Sequence, residues 1–296
     1  MYRTLVIIRH TFREAIVQPI YSLLLALGAA ILVIFSLLPF FTLGEDTIMF
    51  KSVGLDIILI LVLIATLFAT SKSIYEEIED RTMLTLMSKP VARWEVLVGK
   101  YIGIILAALL GVVILGALLI LCTWWRVPGD YMIRTVSIDA SELRQLLELR
   151  LMLISGLIPS LFLMWLQICV LAAISVAIST RVSLVVNLPV VILIYIAGNL
   201  TKFIPPAVTS TASKSLTQVL CTLLPFLGIF DLRQYTVYGT IALPHTNYAA
   251  DPQASSPWSI LAYVGIATLY AICFTTFALA AGMWSFQSRE LGGAEG

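Results

Sequence analysis

Long uncharged stretches alternate with short charged ones along this chain, and the alternation predicts membrane-crossing helices. No Asp, Glu, Lys or Arg occurs in residues 20–44, 57–71, 101–125, 151–180, 182–201 or 260–284, and a crossing helix needs about 20 apolar residues. Six spans follow: 20–44, 53–71, 101–125, one within 151–180, 182–201 and about 260–284. Asp56 falls in the first turn of the second span, where a carboxylate favours the positive end of the helix dipole. Only Arg181 parts the fourth span from the fifth, so these two form an antiparallel pair.

Two further segments carry helical patterning without the length of a span. In Tyr2–Val17, Leu5, Ile8, Phe12 and Ile16 recur at three- and four-residue steps, and Arg3, His10, Arg13 and Glu14 supply polar positions. This predicts a helix lying in the membrane interface over residues 1–19. The uncharged run after it is longer than a signal-peptide core of about 7–15 residues and ends without a small-x-small site, so a retained segment is expected. Residues 215–230 (SLTQVLCTLLPFLGIF) are apolar but interrupted by Pro225 and Gly228. They fit an interfacial or re-entrant helix better than a crossing, and a crossing would put the carboxyl terminus on the other side.

Composition makes the membrane reading general. The chain is 60% hydrophobic and 12% charged, with a mean hydropathy of +1.00, whereas soluble domains carry roughly 25% charged residues. A net charge of +1 leaves no basic footprint for nucleic acid. The whole of 1–296 reads as one transmembrane domain. The four cysteines, Cys122, Cys169, Cys221 and Cys273, have neither disulfide-framework nor metal-ligand spacing.

Lysine and arginine placement sets the expected orientation. With both termini cytoplasmic, the inner segments hold Arg3, Arg9, Arg13, Lys72, Arg81, Lys89, Arg93, Lys100, Arg181 and Arg289. The outer ones hold Lys51, Arg126, Arg134, Arg144, Arg150, Lys202, Lys214 and Arg233, spread over more residues. The excess is on the inside, as the positive-inside rule requires of a cell-membrane protein. Residues 126–150 and 202–258 are then extracytoplasmic. In the first, Asp139 is placed to cap a helix with Leu143, Leu146 and Leu147 on one face, extending the fourth span above the membrane.

Several chemistries are missing. No G-x-x-x-x-G-K-[ST] loop is present, since Gly99-Lys100 lacks the upstream glycine and is followed by Tyr101. The histidines, His10 and His245, lie outside the spans, and no H-E-x-x-H occurs. An enzyme is not expected, and neither is a cofactor. Ion-coupled transporters carry ionisable groups at membrane depth, and the spans here offer only Asp56, near an end.

What remains is the charged island at residues 71–100 (SKSIYEEIEDRTMLTLMSKPVARWEVLVGK) between the second and third spans. Glu76, Glu77, Glu79, Asp80 and Arg81 fall within six residues, and a charged side chain at the bilayer centre costs about 2.5–3.5 kcal/mol. The island is therefore a loop in water. Glu77 and Arg81 support a protruding helix at i and i+4, and Ser88-Lys89-Pro90 supplies the reversal before the chain returns. Met83, Leu84, Leu86 and Met87 form a short apolar patch for a neighbour or a partner.

The run Glu76 to Thr82, then Leu86 to Arg93, then Gly99-Lys100-Tyr101-Ile102-Gly103 resembles the signature of permease subunits of type-2 ATP-binding-cassette (ABC) exporters. Residue-level likeness is confined to about 30 residues around the island, with Met83 and Met87 departing from the usual residues. The rest is architectural: six spans, a leading interfacial helix and a closing FQSREL at residues 286–291. The resemblance implies an all-α permease whose island is a cytoplasmic coupling helix docking on a separate ABC ATPase subunit. Glu76, Glu77, Glu79, Asp80, Arg81 and Thr82 would make the contacts, with Pro90 and Arg93 fixing the return path. It also implies two permeases per transporter, identical or not.

Gly99, Gly103, Ala107 and Gly111 repeat at every fourth residue and read as a small-residue packing stripe. Gln167, Asn187 and Asn199 read as interhelical hydrogen-bonding groups rather than a substrate path. A polytopic scaffold that recruits a cytoplasmic partner without transport is the alternative function. A channel is the third.

Overall fold

The computed structural model describes residues 2–38, 46–76, 92–131, 140–200, 225–232 and 257–287. Within them the chain is helical throughout: α1 (Tyr2–Val17), α2 (Pro19–Leu37), α3 (Asp46–Ser71), α4 (Arg93–Tyr131), α5 (Ala140–Ser155), α6 (Leu157–Ser179), α7 (Leu184–Leu200) and α8 (Pro257–Gln287). A π-helical turn, Lys72–Glu76, prolongs α3, and a 3₁₀ turn, Leu227–Phe230, stands before α8.

Five stretches are long and apolar enough to cross a membrane: Pro19–Leu37, Thr47–Tyr75, Trp94–Arg126, Leu153–Ser179 and Ile260–Ser285. Helix α7 is apolar but has 17 residues, about 25 Å of axial length against roughly 30 Å of hydrocarbon. It also contains Pro189, which removes one backbone hydrogen bond.

Local chemistry sets the element boundaries. Pro19 opens α2 at a position where the missing N–H would have no helical partner. Between α5 and α6 the chain turns at Gly156; Pro159 sits in the first turn of α6 for the same reason, and Ser160 Oγ donates to the Gly156 carbonyl at 3.0 Å. Ala92 precedes α4, and its N–H donates to Glu95 Oε2 at 3.4 Å. That places a carboxylate in the first turn of α4, where the dipole favours it.

Helix α6 is the axis of the bundle. From Leu163 to Val176 nearly every one of its side chains is buried, and α3, α4, α7 and α8 all pack on it. Gly282 of α8 lets that helix lie close, because a Cβ there would come within 2.9 Å of the Ala177 backbone. At the periphery, α2 exposes Leu23, Leu27, Val33 and Ile34, and α8 exposes Leu261, Leu269, Ile272 and Phe277. Apolar outer faces of this extent suit hydrocarbon as the surrounding solvent. Polar residues of α3 and α4 are satisfied locally, as where Thr66, Thr70 and Thr123 each donate to the carbonyl four residues earlier.

Two expectations are corrected. Helix α3 begins at Asp46, so Asp56 sits in its third turn and not in its first. Lys51 and Arg126 are not loop charges: both are buried side chains of α3 and α4. Arg126 donates through Nη1 to the carbonyls of Phe35 and Leu38, each at 3.0 Å, closing the end of α2 as a cation does at a helix carboxyl terminus. The face of α1 turned to the bundle carries Thr11 and Ala15, both buried, while Leu5 is exposed. Of residues 215–230, only 225–230 are described; Asp139 and residues 288–291 lie outside the described residues.

Candidate functional site

The two stems of the charged island emerge side by side from the bundle. Residues 77–91 lie outside the described residues, and with them Glu77, Glu79, Asp80, Arg81, Thr82 and Pro90. Glu76 closes the π turn and Arg93 opens α4. The stems themselves are firmly seated. Ile74 on one side and Val96, Leu97 and Tyr101 on the other share a buried cluster with Ala172, Ala173 and Val176 of α6 and Ala278 of α8.

Polar bonds reinforce this seat. The Lys100 ammonium, 2% exposed, donates to the Ser73 carbonyl and, at 3.2 Å, to Ser73 Oγ. Tyr101 donates to the Cys169 carbonyl at 3.1 Å. Beside it, Asn187 Nδ2 of α7 lies 2.8 Å from Ser71 Oγ, 2.8 Å from Ser175 Oγ and 2.9 Å from Ser179 Oγ. Three helices are thereby tied at the point where α3 leaves the bundle. Arg181, in the α6–α7 turn, adds a fourth by donating to Ser285 Oγ at 2.7 Å and to the Ser285 carbonyl at 3.1 Å on α8.

Helix α1 lies along the small residues of α4 on the same side. A Cβ at Gly99 would come within 3.0 Å of Ile7 Cγ2, and one at Gly103 within 2.8 Å of Thr11 Cβ and 2.9 Å of the Ile8 carbonyl oxygen. Ala107 is buried with Ala15, Ala69 and Ile104, and its carbonyl accepts from Tyr21 at 2.8 Å. Gly111 faces Leu25, Tyr21 and Val62 at 3.4–3.5 Å. Only a stripe of glycine and alanine admits α1 and α2 this closely.

Toward the other end of the same helices the packing opens. A cavity of about 370 Å³ lies between α3, α6, α7 and residues 230–232. Asp56, Ser160, Gln167, Asn199 and Asp231 bring polar atoms to its wall, and Leu55, Leu59, Met164, Ile196 and Phe230 supply apolar surface. Asp56 is about 22 Å along α3 from Ser71. Tyrosines of α8 hold the wall contributed by the 3₁₀ turn: Tyr263 donates to the Ile229 carbonyl and Tyr270 accepts from the Phe226 N–H, both at 2.8 Å. Gly198 allows the turn to sit against α7, since a Cβ there would meet the Pro225 carbonyl oxygen at 2.7 Å.

Sequence reasoning treated Gln167, Asn187 and Asn199 alike, and they differ. Asn187 makes the interhelical bonds described above, while Asn199 donates within its own helix, to the Tyr195 carbonyl at 3.0 Å. Gln167 lines the cavity and makes no hydrogen bond to a described residue. Asp231 drew no attention in the sequence, because only folding brings residues 230–232 against α3. Asp56 carried a signal as the one ionisable residue within a predicted span.

The bundle has apolar outer faces, a braced charged hairpin root at one end and a part-polar cavity at the other. Among curated proteins, none matches the chain. The family model for an ABC-2 family transporter protein matches residues 6–291, almost the whole length. The chain belongs to this family of ABC-2 transporter membrane proteins.

Proposed function

We propose that this chain is the permease subunit of an ABC transporter, embedded by six crossings in the cell membrane and driven by a separate ATPase subunit. Helix α7 is the fifth crossing in this reading, α1 lies in the interface, and both termini are cytoplasmic. Residues 71–100 form the coupling hairpin. Glu76, Glu77, Glu79, Asp80, Arg81 and Thr82 face the ATPase, and Pro90 and Arg93 set the return into α4. Two permeases, identical or not, act together.

The observation that carries the reading, beside family membership, is the seat of the hairpin stems. A loop meant only to be solvated needs no anchorage, whereas one that transmits force does. Here Ile74, Val96, Leu97 and Tyr101 are buried in the bundle, and Lys100 cross-links the stems through Ser73. Movement of the hairpin is therefore passed to α3, α4 and α6 as a body. A partner shifts a conformational equilibrium only through contacts that differ between the two states, and a braced lever supplies them. The burial of Lys51 and Arg126 takes two cations out of the outer loops, which strengthens the inward bias of the remaining loop charge.

The test is to purify tagged chain from native membranes and assay the eluate for ATP hydrolysis. A co-purifying ATPase that is lost with Glu77→Lys and Arg81→Glu supports the reading. Intact chain that brings no nucleotide-hydrolysing subunit removes its energy source.

A further inference from the structure

We infer that the groove between the end of α1 and the outer flank of α4 binds one anionic phospholipid, with an acyl chain along α4 and the phosphate at Arg9. The inference goes beyond the permease reading and involves no transport step.

The groove arises from the way two helices share the small-residue stripe of α4. Ile7, Ile8 and Thr11 of α1 lie over Gly99 and Gly103, whereas Gly111 is covered by Tyr21 and Leu25 of α2. Each four-residue step along a helix carries the stripe about 40° further round, so Gly103 and Gly111 differ by about 80°. Helix α2 therefore leaves the track of α1 to one side. On the other side Leu106, Leu110 and Val113 lose their cover, and Phe12 closes the space from α1.

The space measures about 260 Å³ and is lined by Phe12, Leu106, Leu109, Leu110 and Val113. It opens outward, since Leu106 is 39% and Val113 55% exposed. The α4 wall runs for about 10 Å along the helix axis. No described lining residue is polar, so a polar ligand finds no partner there, whereas an acyl chain needs none.

Charge stands at one end of this groove. Arg9 precedes Phe12 by three residues and so lies on the same side of α1. It also lies nearer the hairpin root, because α1 and α4 run in the same direction: Thr4 and Ile7 meet Gly99, and Ala15 packs with Ala107. Arg9, His10 and Arg13 are exposed, and neither arginine makes an ion pair with a described residue. Glu14, the one acid of α1, has its Oε2 buried without a partner, so it does not neutralise them. A cation toward the membrane surface and a hydrocarbon track leading inward from it reproduce the layout of an anionic phospholipid. The cation alone would gather such lipids loosely, and the groove alone would take any acyl chain. Together they select.

The test titrates the purified full chain in detergent with phosphatidylglycerol and with phosphatidylcholine of identical acyl chains, reading retained lipid by native mass spectrometry. One phosphatidylglycerol per chain is expected, held at concentrations where phosphatidylcholine is not. Arg9→Gln should weaken phosphatidylglycerol binding about fivefold, the effect of one surface cation on anionic lipid, and leave phosphatidylcholine unchanged. Val113→Trp fills the groove from its most exposed lining residue and should weaken both lipids. Val185→Trp, at an exposed position of α7, should change neither. Should Val113→Trp fail to fold, Leu106→Trp takes its place. Equal retention of the two lipids, or unchanged phosphatidylglycerol binding in Arg9→Gln, would overturn the site. So would displacement by glycerol phosphate at equal concentration, which would make the chain and its groove irrelevant. Lipid-free dimers that Val113→Trp dissociates would show the groove to be a contact between copies instead.

Discussion

At the hairpin end of the bundle, Ser71, Ser175, Ser179 and Asn187 fill the space between α3, α6 and α7 with hydroxyls and one amide. About four helical turns away, the same three helices are held apart around a cavity bordered by Asp56, Ser160, Gln167 and Asn199. At the first end short polar side chains tie three helices through Asn187 Nδ2, while Asn187 Oδ1 is buried without a partner. Longer ones facing unfilled space make the second adaptable. A transporter driven from one face needs this division: a rigid part to receive movement, and a part whose shape can change around a cargo. The contrast also warns against treating polar residues in spans as one class, because identical chemistry ties helices together at one depth and lines open space at another.

Substitutions can break or sharpen this contrast. The largest loss is expected from Gly103→Ala. Its Cβ would stand 2.9 Å from the Ile8 carbonyl oxygen, and such overpacking costs about 1–3 kcal/mol, occasionally more. Thermal unfolding in detergent should report it, with Gly265→Ala unaffected because no described residue comes within 4 Å there. Lys100→Met comes next. It removes a charged hydrogen bond to Ser73, a class worth about 1.5–3 kcal/mol. With an ATPase still bound, it should reduce coupled hydrolysis more than it reduces co-purification; equal losses in both would mean that Lys100 merely holds the fold.

Asn187→Leu should cost about 1–2 kcal/mol, since interhelical bonds of this kind average about 0.6 kcal/mol each. The smallest effect is expected from Gln167→Leu. This amide has no described partner, so its loss should move the unfolding midpoint by no more than about 0.5 kcal/mol in either direction. A loss at Gln167 as large as that at Asn187 would erase the distinction between the two ends.

Much of the architecture was legible because the bilayer sets a harsh rule on charge. The helices behind the five apolar stretches follow from charge-free runs alone. The glycine and alanine stripe of α4 was legible as a stripe, but not its occupant, since small residues announce a close neighbour without naming it. Helix α1 illustrates the reason: the face it turns to α4 carries Thr11 and Ala15, small residues that stand out in no hydrophobic pattern. Asp56 was misplaced by turns because the polar residues from Asp46 onward read as loop. The cavity was illegible for a simpler reason. Asp56, Gln167, Asn199 and Asp231 belong to four separate elements, and only tertiary packing brings them to one wall.

The central claim, that hairpin and cavity occupy opposite ends of a body crossing the membrane, has a direct test. In a chain whose four native cysteines are serine, Glu79→Cys and Glu148→Cys would be probed in sealed inverted vesicles with a membrane-impermeant thiol reagent. The account predicts labelling at position 79, on the face open to an ATPase, and protection at position 148. Labelling of both from the same side, or of position 148 alone, would contradict it.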